Sequence, residues 1–145
     1  MGFRTTVVAS ASKIQRDALN VELRAHELEP VTVEHPTDAC HAAKSWEAAV
    51  AVVDLSADVE KPLQVLKSVR EQVGEKVVLL ALAPSVSPKV VGAVLKAGGD
   101  DVTLLGAPPK SIVKRVRQWL DIRTTQSLPD RRRQVLDKLN AGEKA

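Results

Sequence analysis

Ala48-Ala-Val-Ala-Val-Val-Asp54 is the most apolar strand-like run in this chain, and it closes on a carboxylate. A strand with one face in water alternates apolar and polar residues, whereas a run that is apolar throughout has both faces covered. Lys76-Val-Val-Leu-Leu-Ala-Leu82 repeats the pattern. Two buried strands, each followed by a helical pattern, indicate a parallel sheet with helices on both sides. Such sheets place binding and reacting groups at the carboxyl ends of their strands, which is where Asp54 falls.

Upstream, Thr5-Thr-Val-Val-Ala9 reads as a first strand and Val31-Thr-Val33 as a short second one near a sheet edge. Between them Ser12 is placed to cap a helix. Ile14, Ala18, Val21, Ala25 and Leu28, at steps of three and four, are expected on its buried side, with Pro30 stopping it. Pro36 and Thr37 open a second helix over 38–46, with Ala39, Ala42 and Ala43 on one side, and the third strand covers 48–53. Pro62 then opens a helix carrying Leu63, Val65, Leu66 and Val69, which Gly74 ends. The fourth strand is 76–82. Ser87-Pro88 starts a fourth helix with Val90, Val91, Val94 and Leu95 inside, stopped by Gly98-Gly99. Asp101-Val-Thr-Leu-Leu105 is the fifth strand, and Pro108-Pro109 leads into a long helix with Ile112, Val113, Val116, Trp119, Leu120 and Ile122. Residues 1–122 thus form a (βα)5 body, and 123–145 a polar linker and short basic helix, 129–140, with Val135, Leu136 and Leu139 on one stripe.

Composition narrows the function. With 145 residues and 44% apolar content the chain suits a single folded domain. Aromatics are only 2% (Phe3, Trp46 and Trp119), so the core is aliphatic and base-stacking on single-stranded nucleic acid is disfavoured. The net charge of +3 resides in residues 123–145, leaving the body neutral, which is no footprint for nucleic acid. One cysteine, Cys40, rules out an internal disulfide and suits a reducing compartment. No apolar run approaches the ~18 residues of a membrane span, and no secretory leader is evident. Met1–Thr6 fits the loose N-myristoylation pattern, but Thr5 and Thr6 read more simply as the start of a strand. A cytoplasmic protein without membrane association is expected.

Two motifs carry a resemblance. Ser87-Pro88-Lys-Val-Val-Gly-Ala-Val-Leu-Lys-Ala97-Gly98-Gly99-Asp100-Asp101 looks like the fourth helix of bacterial response-regulator receiver domains, with its alanine-glycine-alanine-aspartate-aspartate entry to the fifth strand. Ala51-Val-Val-Asp54-Leu55 resembles their third strand, which ends in the phosphoacceptor aspartate followed by leucine. The likeness covers residues 5–122. It implies a doubly wound, five-stranded parallel sheet of flavodoxin-like, CheY-like type, with a short C-terminal helical extension.

The resemblance also implies a site, and the chain departs from it. In the family, two acids at the end of the first strand bind Mg²⁺, a hydroxyl at the end of the fourth strand bonds the aspartyl phosphate, and a lysine at the end of the fifth pairs with it. Here the acids fall on Ala9 and Ser10, the hydroxyl on Leu82 or Ala83, and the lysine on Leu105 or Gly106, with Ser85 and Lys110 further along and brought in only by a shift of the chain. The expectation is a degenerate pseudo-receiver in a phosphorelay-type system. Asp54 would be a vestigial acceptor, no cofactor would be needed, and Mg²⁺ would enter only if Asp54 is still phosphorylated. Such a module is not an enzyme and works by docking. In the family the fourth helix, fifth strand and fifth helix form the docking face. Here that face takes in parts of 89–96 and 110–118, with Lys114, Arg115 and Arg117 as a basic stripe, for a protein partner or a homodimer.

Other chemistries have less support. Ser10-Ala-Ser12 is not a glycine-rich phosphate loop, and Ser12 reads as a cap. His35, Cys40 and His41 lack closed zinc spacing. A small enzyme or nucleotide binder in the same crevice would need an acid–base pair or a glycine-rich loop, and neither is present.

Overall fold

The structure is a computed structural model that describes residues 5–55 and 60–123, over which strands and helices alternate. The order is β1 (Thr5–Ala9), α1 (Lys13–Ala25), β2 (Glu29–Val33), α2 (Ala39–Ser45), β3 (Val50–Asp54), α3 (Glu60–Val73), β4 (Val78–Ala83), α4 (Pro88–Lys96), β5 (Asp101–Leu104) and α5 (Pro109–Arg123). A 3-10 turn, Pro36–Asp38, introduces α2. The strands pair in parallel in the order β2-β1-β3-β4-β5. This is the doubly wound (βα)5 sheet expected. The strand order reverses between β1 and β3, and a crevice opens there at the carboxyl ends.

Strand parity divides the core into two layers. Val7, Ala9, Ala51, Val53, Leu79 and Ala81 pack with Ala39, Ala43, Leu66, Val69 and Val94 of α2, α3 and α4. Val8, Val50, Val52, Leu80 and Leu82 pack with Leu19, Leu23, Ile112, Val113 and Val116 of α1 and α5. β1, β3 and β4 are buried along their whole length, as continuous apolar runs require. Among the described residues no helix is long and apolar enough to cross a membrane.

One helix face corrects the sequence reading. α1 buries Leu19 and Leu23, while Ile14 and Val21 are 83% and 68% exposed and Ala25 is exposed. Leu19 and Leu23, four residues apart, also share one side of this helix, and that is the side packed on the sheet. Nor does Pro30 stop α1, since it already lies within β2. The helix ends at Glu27, in the left-handed region (φ 62°), with the N–H of Leu28 donating to the carbonyl of Leu23 (3.0 Å) and that of Glu27 to Arg24 (3.0 Å). Gly98 (φ 107°) closes α4 in the same way, the N–H of Gly99 reaching the carbonyl of Val94 (2.9 Å). The helix expected over 129–140 lies outside the described residues.

Candidate functional site

Asp54 is the last residue of β3 and only 4% exposed. Its lateral neighbours follow from register. Val8 pairs with Val52 and Ala9 with Val53, so Ser10 continues the row beside Asp54. On the other side Asp54 pairs with Leu82, and Leu82 with Thr103. Paired residues of adjacent strands point to the same face about 4.8 Å apart. The carboxylate therefore sits between a serine and a leucine.

Ser10 is fully buried and donates its hydroxyl to Asp54 Oδ2 at 2.7 Å. Its Oγ in turn accepts the N–H of Ser12 (3.2 Å), its N–H donates to the carbonyl of Val33 (3.1 Å), and its carbonyl accepts Arg16 Nη1 (2.7 Å). Each polar group of Ser10 is thus bonded, which fixes the direction in which its hydroxyl meets the carboxylate. Ser12 Oγ accepts the N–H of Gln15 (3.2 Å), the cap that the sequence indicated.

The other positions named from the sequence have their own surroundings. Leu82 and Ala83 are buried. Ser85 is exposed, and its Oγ accepts the N–H of Ser87 (3.1 Å) at the entry to α4. Leu105 packs on the apolar layer shared with α1 and α5, and its N–H donates to the carbonyl of Ala83 (2.8 Å). Lys110 stands on α5 and lines a groove with Glu22 and His26 of α1. The basic stripe anticipated on α5 is also divided: Arg115 pairs with buried Asp101 (3.2 Å), whereas Arg117 Nη1 lies 3.4 Å from His26 Nδ1. Cys40 Sγ lies 3.3 Å from Gln72 Oε1, and His41 Nε2 lies 3.5 Å from Ser45 Oγ.

The receiver family's Mg²⁺ does not fit this donor set. That hard cation is held by carboxylate oxygens together with water, and Ala9 and Ser10, which carry no carboxylate, occupy the positions of the family's two acids. Among the described residues no three His, Cys, Asp or Glu side chains gather where a metal ion would be held.

No family profile matches the chain, and no curated protein matches it in sequence. Solved structures do match. A CheY-like response regulator receiver domain protein from Methanospirillum hungatei JF-1 superposes with a TM-score of 0.73 at 12% identity, over 83% of this chain and 96% of that one. The signal receiver domain of NarL from Mycobacterium tuberculosis gives 0.70 at 21% identity, over 87% of this chain and all of its own. Chemotaxis protein CheY4 of Vibrio cholerae gives 0.70 at 18%, over 79% and 96%.

The chain has the CheY-like receiver fold. Within the receiver fold, Asp54 ends the third strand, bonded to Ser10 just beyond β1. Two features escaped the sequence reading: Ser10 as a donor to Asp54, and Arg16 as its brace. Their only signal is position, Ser10 one residue beyond β1 and Arg16 one turn after the Ser12 cap.

Proposed function

We propose that this chain is a pseudo-receiver, a signalling module that acts by docking to another protein without Mg²⁺-dependent phosphorylation of Asp54. The 2.7 Å bond from Ser10 to Asp54 carries this reading. Phosphoryl transfer to a carboxylate depends on positive charge placed around the transferred group. Here the two in-register neighbours of Asp54 are a hydroxyl, already committed to the carboxylate, and a leucine. Arg16 directs a guanidinium N–H to the Ser10 carbonyl.

The docking face favoured is that of α4, β5 and α5, where Val86 and Leu104 are 42% and 45% exposed and α4 carries exposed Lys89 and Lys96. Incubation with acetyl phosphate and Mg²⁺, followed by intact mass measurement, tests the first half. The expected mass is unchanged. A stoichiometric gain of about 80 Da that Asp54→Asn abolishes would establish instead a phosphorylatable receiver with Asp54 as acceptor. For the second half, a partner should be retained by Asp54→Asn and lost by Leu104→Glu; the reverse pattern would refute docking through this face.

A further inference from the structure

His26 follows the last turn of α1 as its C-terminal cap and lines a groove of about 560 Å³ between α1 and α5. Its two ring nitrogens meet different partners. Nε2 lies 3.4 Å from Glu22 Oε1, one turn back on α1, and Nδ1 lies 3.4 Å from Arg117 Nη1 on α5. A guanidinium can only donate and a carboxylate can only accept. Nδ1 is therefore the bare nitrogen and Nε2 carries the hydrogen, so the ring is neutral and its lone pair joins α1 to α5.

A second ring proton breaks that join. It enters at Nδ1, where it sets one N–H against another and a cation against the guanidinium. The charged ring still has Glu22, now as an ion pair, and a helix C-terminus favours a cation. Arg117 in turn has Asp121, one turn further along α5 on the same groove, whose carboxylate accepts more than one donor. The remaining charges on the groove are Lys110 and Lys114. Nearby on α1, Arg24 donates to Asn20 Oδ1 (2.9 Å), and Glu27 is the exposed residue after His26. Three cations and two acids thus line the groove with a neutral His26, and protonation makes the cations four. The two arrangements differ by one proton and by the partner of one arginine.

We propose that His26 is a proton-operated tie between α1 and α5. Neutral, it holds Arg117; protonated, it pairs with Glu22 alone and Arg117 turns to Asp121. The tie involves neither Ser10 nor Asp54, so it is independent of the pseudo-receiver reading.

Nuclear magnetic resonance on the full chain, labelled with ¹⁵N, tests this. At about pH 7.5 the long-range imidazole spectrum should show His26 with its hydrogen on Nε2. At about pH 5.5, on the other side of the ordinary histidine range, the Arg117 side-chain Nε–Hε signal should move together with His26. The backbone amides of Glu22, Lys114 and Asp121 should follow. His26→Gln keeps an acceptor and a donor but does not titrate, so the movement of Arg117 should be lost while circular dichroism stays unchanged. His26→Lys, charged throughout, should give the acid-side Arg117 signal at both pH values. His35→Gln and His41→Gln, which replace the other two histidines, should leave the response intact.

A hydrogen on Nδ1 at the higher pH would overturn the proposal. So would an Arg117 signal that ignores the change of pH, or one that still follows it in His26→Gln.

Discussion

The hydroxyl of Ser10 offers the Asp54 carboxylate one hydrogen bond at 2.7 Å, in a crevice where a cation would offer full charge neutralisation. That difference can be measured by restoring the acid. Ser10→Asp sets two carboxylates side by side in register, and like charges at that spacing repel. Without divalent ions the variant should lose about 1–3 kcal/mol, since it removes a buried donor as well as adding charge. Millimolar Mg²⁺ should return much of that loss, because the pair now supplies the oxygens the cation requires. Thermal melts with EDTA and with Mg²⁺ read both effects, and the unmodified chain should not respond. A Mg²⁺-induced rise in its melting temperature would show that the native donor set already binds the ion. The place of Asp54 at the end of β3 was legible from the sequence, because a strand end is marked by where an apolar run stops. The Ser10–Asp54 bond was not, because it depends on the register of two strands 44 residues apart and on a rotamer.

Helix α1 shows at the next scale what a periodic pattern leaves open. The alternation of strands and helices was legible because continuous apolar runs of this length have few other homes. The inward face of α1 was not, because Ile14–Ala18–Val21–Ala25 and Leu19–Leu23 both satisfy helical spacing. Packing decides between them: Leu19 and Leu23 are each 1% exposed, while Ile14 and Val21 stay in solvent. Leu23→Ala should therefore cost about 2–5 kcal/mol, whereas Val21→Ala should stay within about 0.5 kcal/mol. Urea titrations of the two variants check this, and comparable losses would mean that Val21 is covered in the folded chain. The helix ends are equally local. Glu47, exposed and at φ 49°, lets the N–H of Ala48 reach the carbonyl of Ala43 (3.0 Å) after α2. A left-handed residue with a Cβ is strained by roughly 1–2 kcal/mol. Glu47→Gly should accordingly stabilise the chain by up to about 1 kcal/mol, and a lowered denaturation midpoint would contradict that account.

At the scale of the whole molecule, the edge of the sheet opposite Asp54 is held by a buried pair that no sequence pattern announces. Arg70 Nη2 meets Asp100 Oδ2 at 2.8 Å, with the aspartate fully buried and the arginine side chain 11% exposed. Arg70 also donates to the carbonyls of Gly98 (2.9 Å), Gly74 (2.7 Å) and Val77 (2.8 Å), and Asp100 accepts the N–H of Leu79 (2.9 Å). One side chain thereby joins the end of α3, the start of β4 and the α4–β5 connection. Replacing a buried ion pair by apolar residues is often neutral, because the pair's attraction barely offsets its desolvation. That argument fails here, since three carbonyls and a peptide N–H would lose their partners along with the pair. Arg70→Ala should therefore cost about 3–5 kcal/mol, the range for stranding a buried charge. Because the bonds reach three consecutive elements, the loss should appear as one cooperative transition at lower urea with an unchanged slope. Arg70→Lys, which keeps the charge but has three donors on one nitrogen, cannot span the same acceptors and should recover only part of the stability. A cost below about 1 kcal/mol for Arg70→Ala, or a separate early transition, would show that these contacts are local fastenings and that the two helical layers hold the sheet together without them.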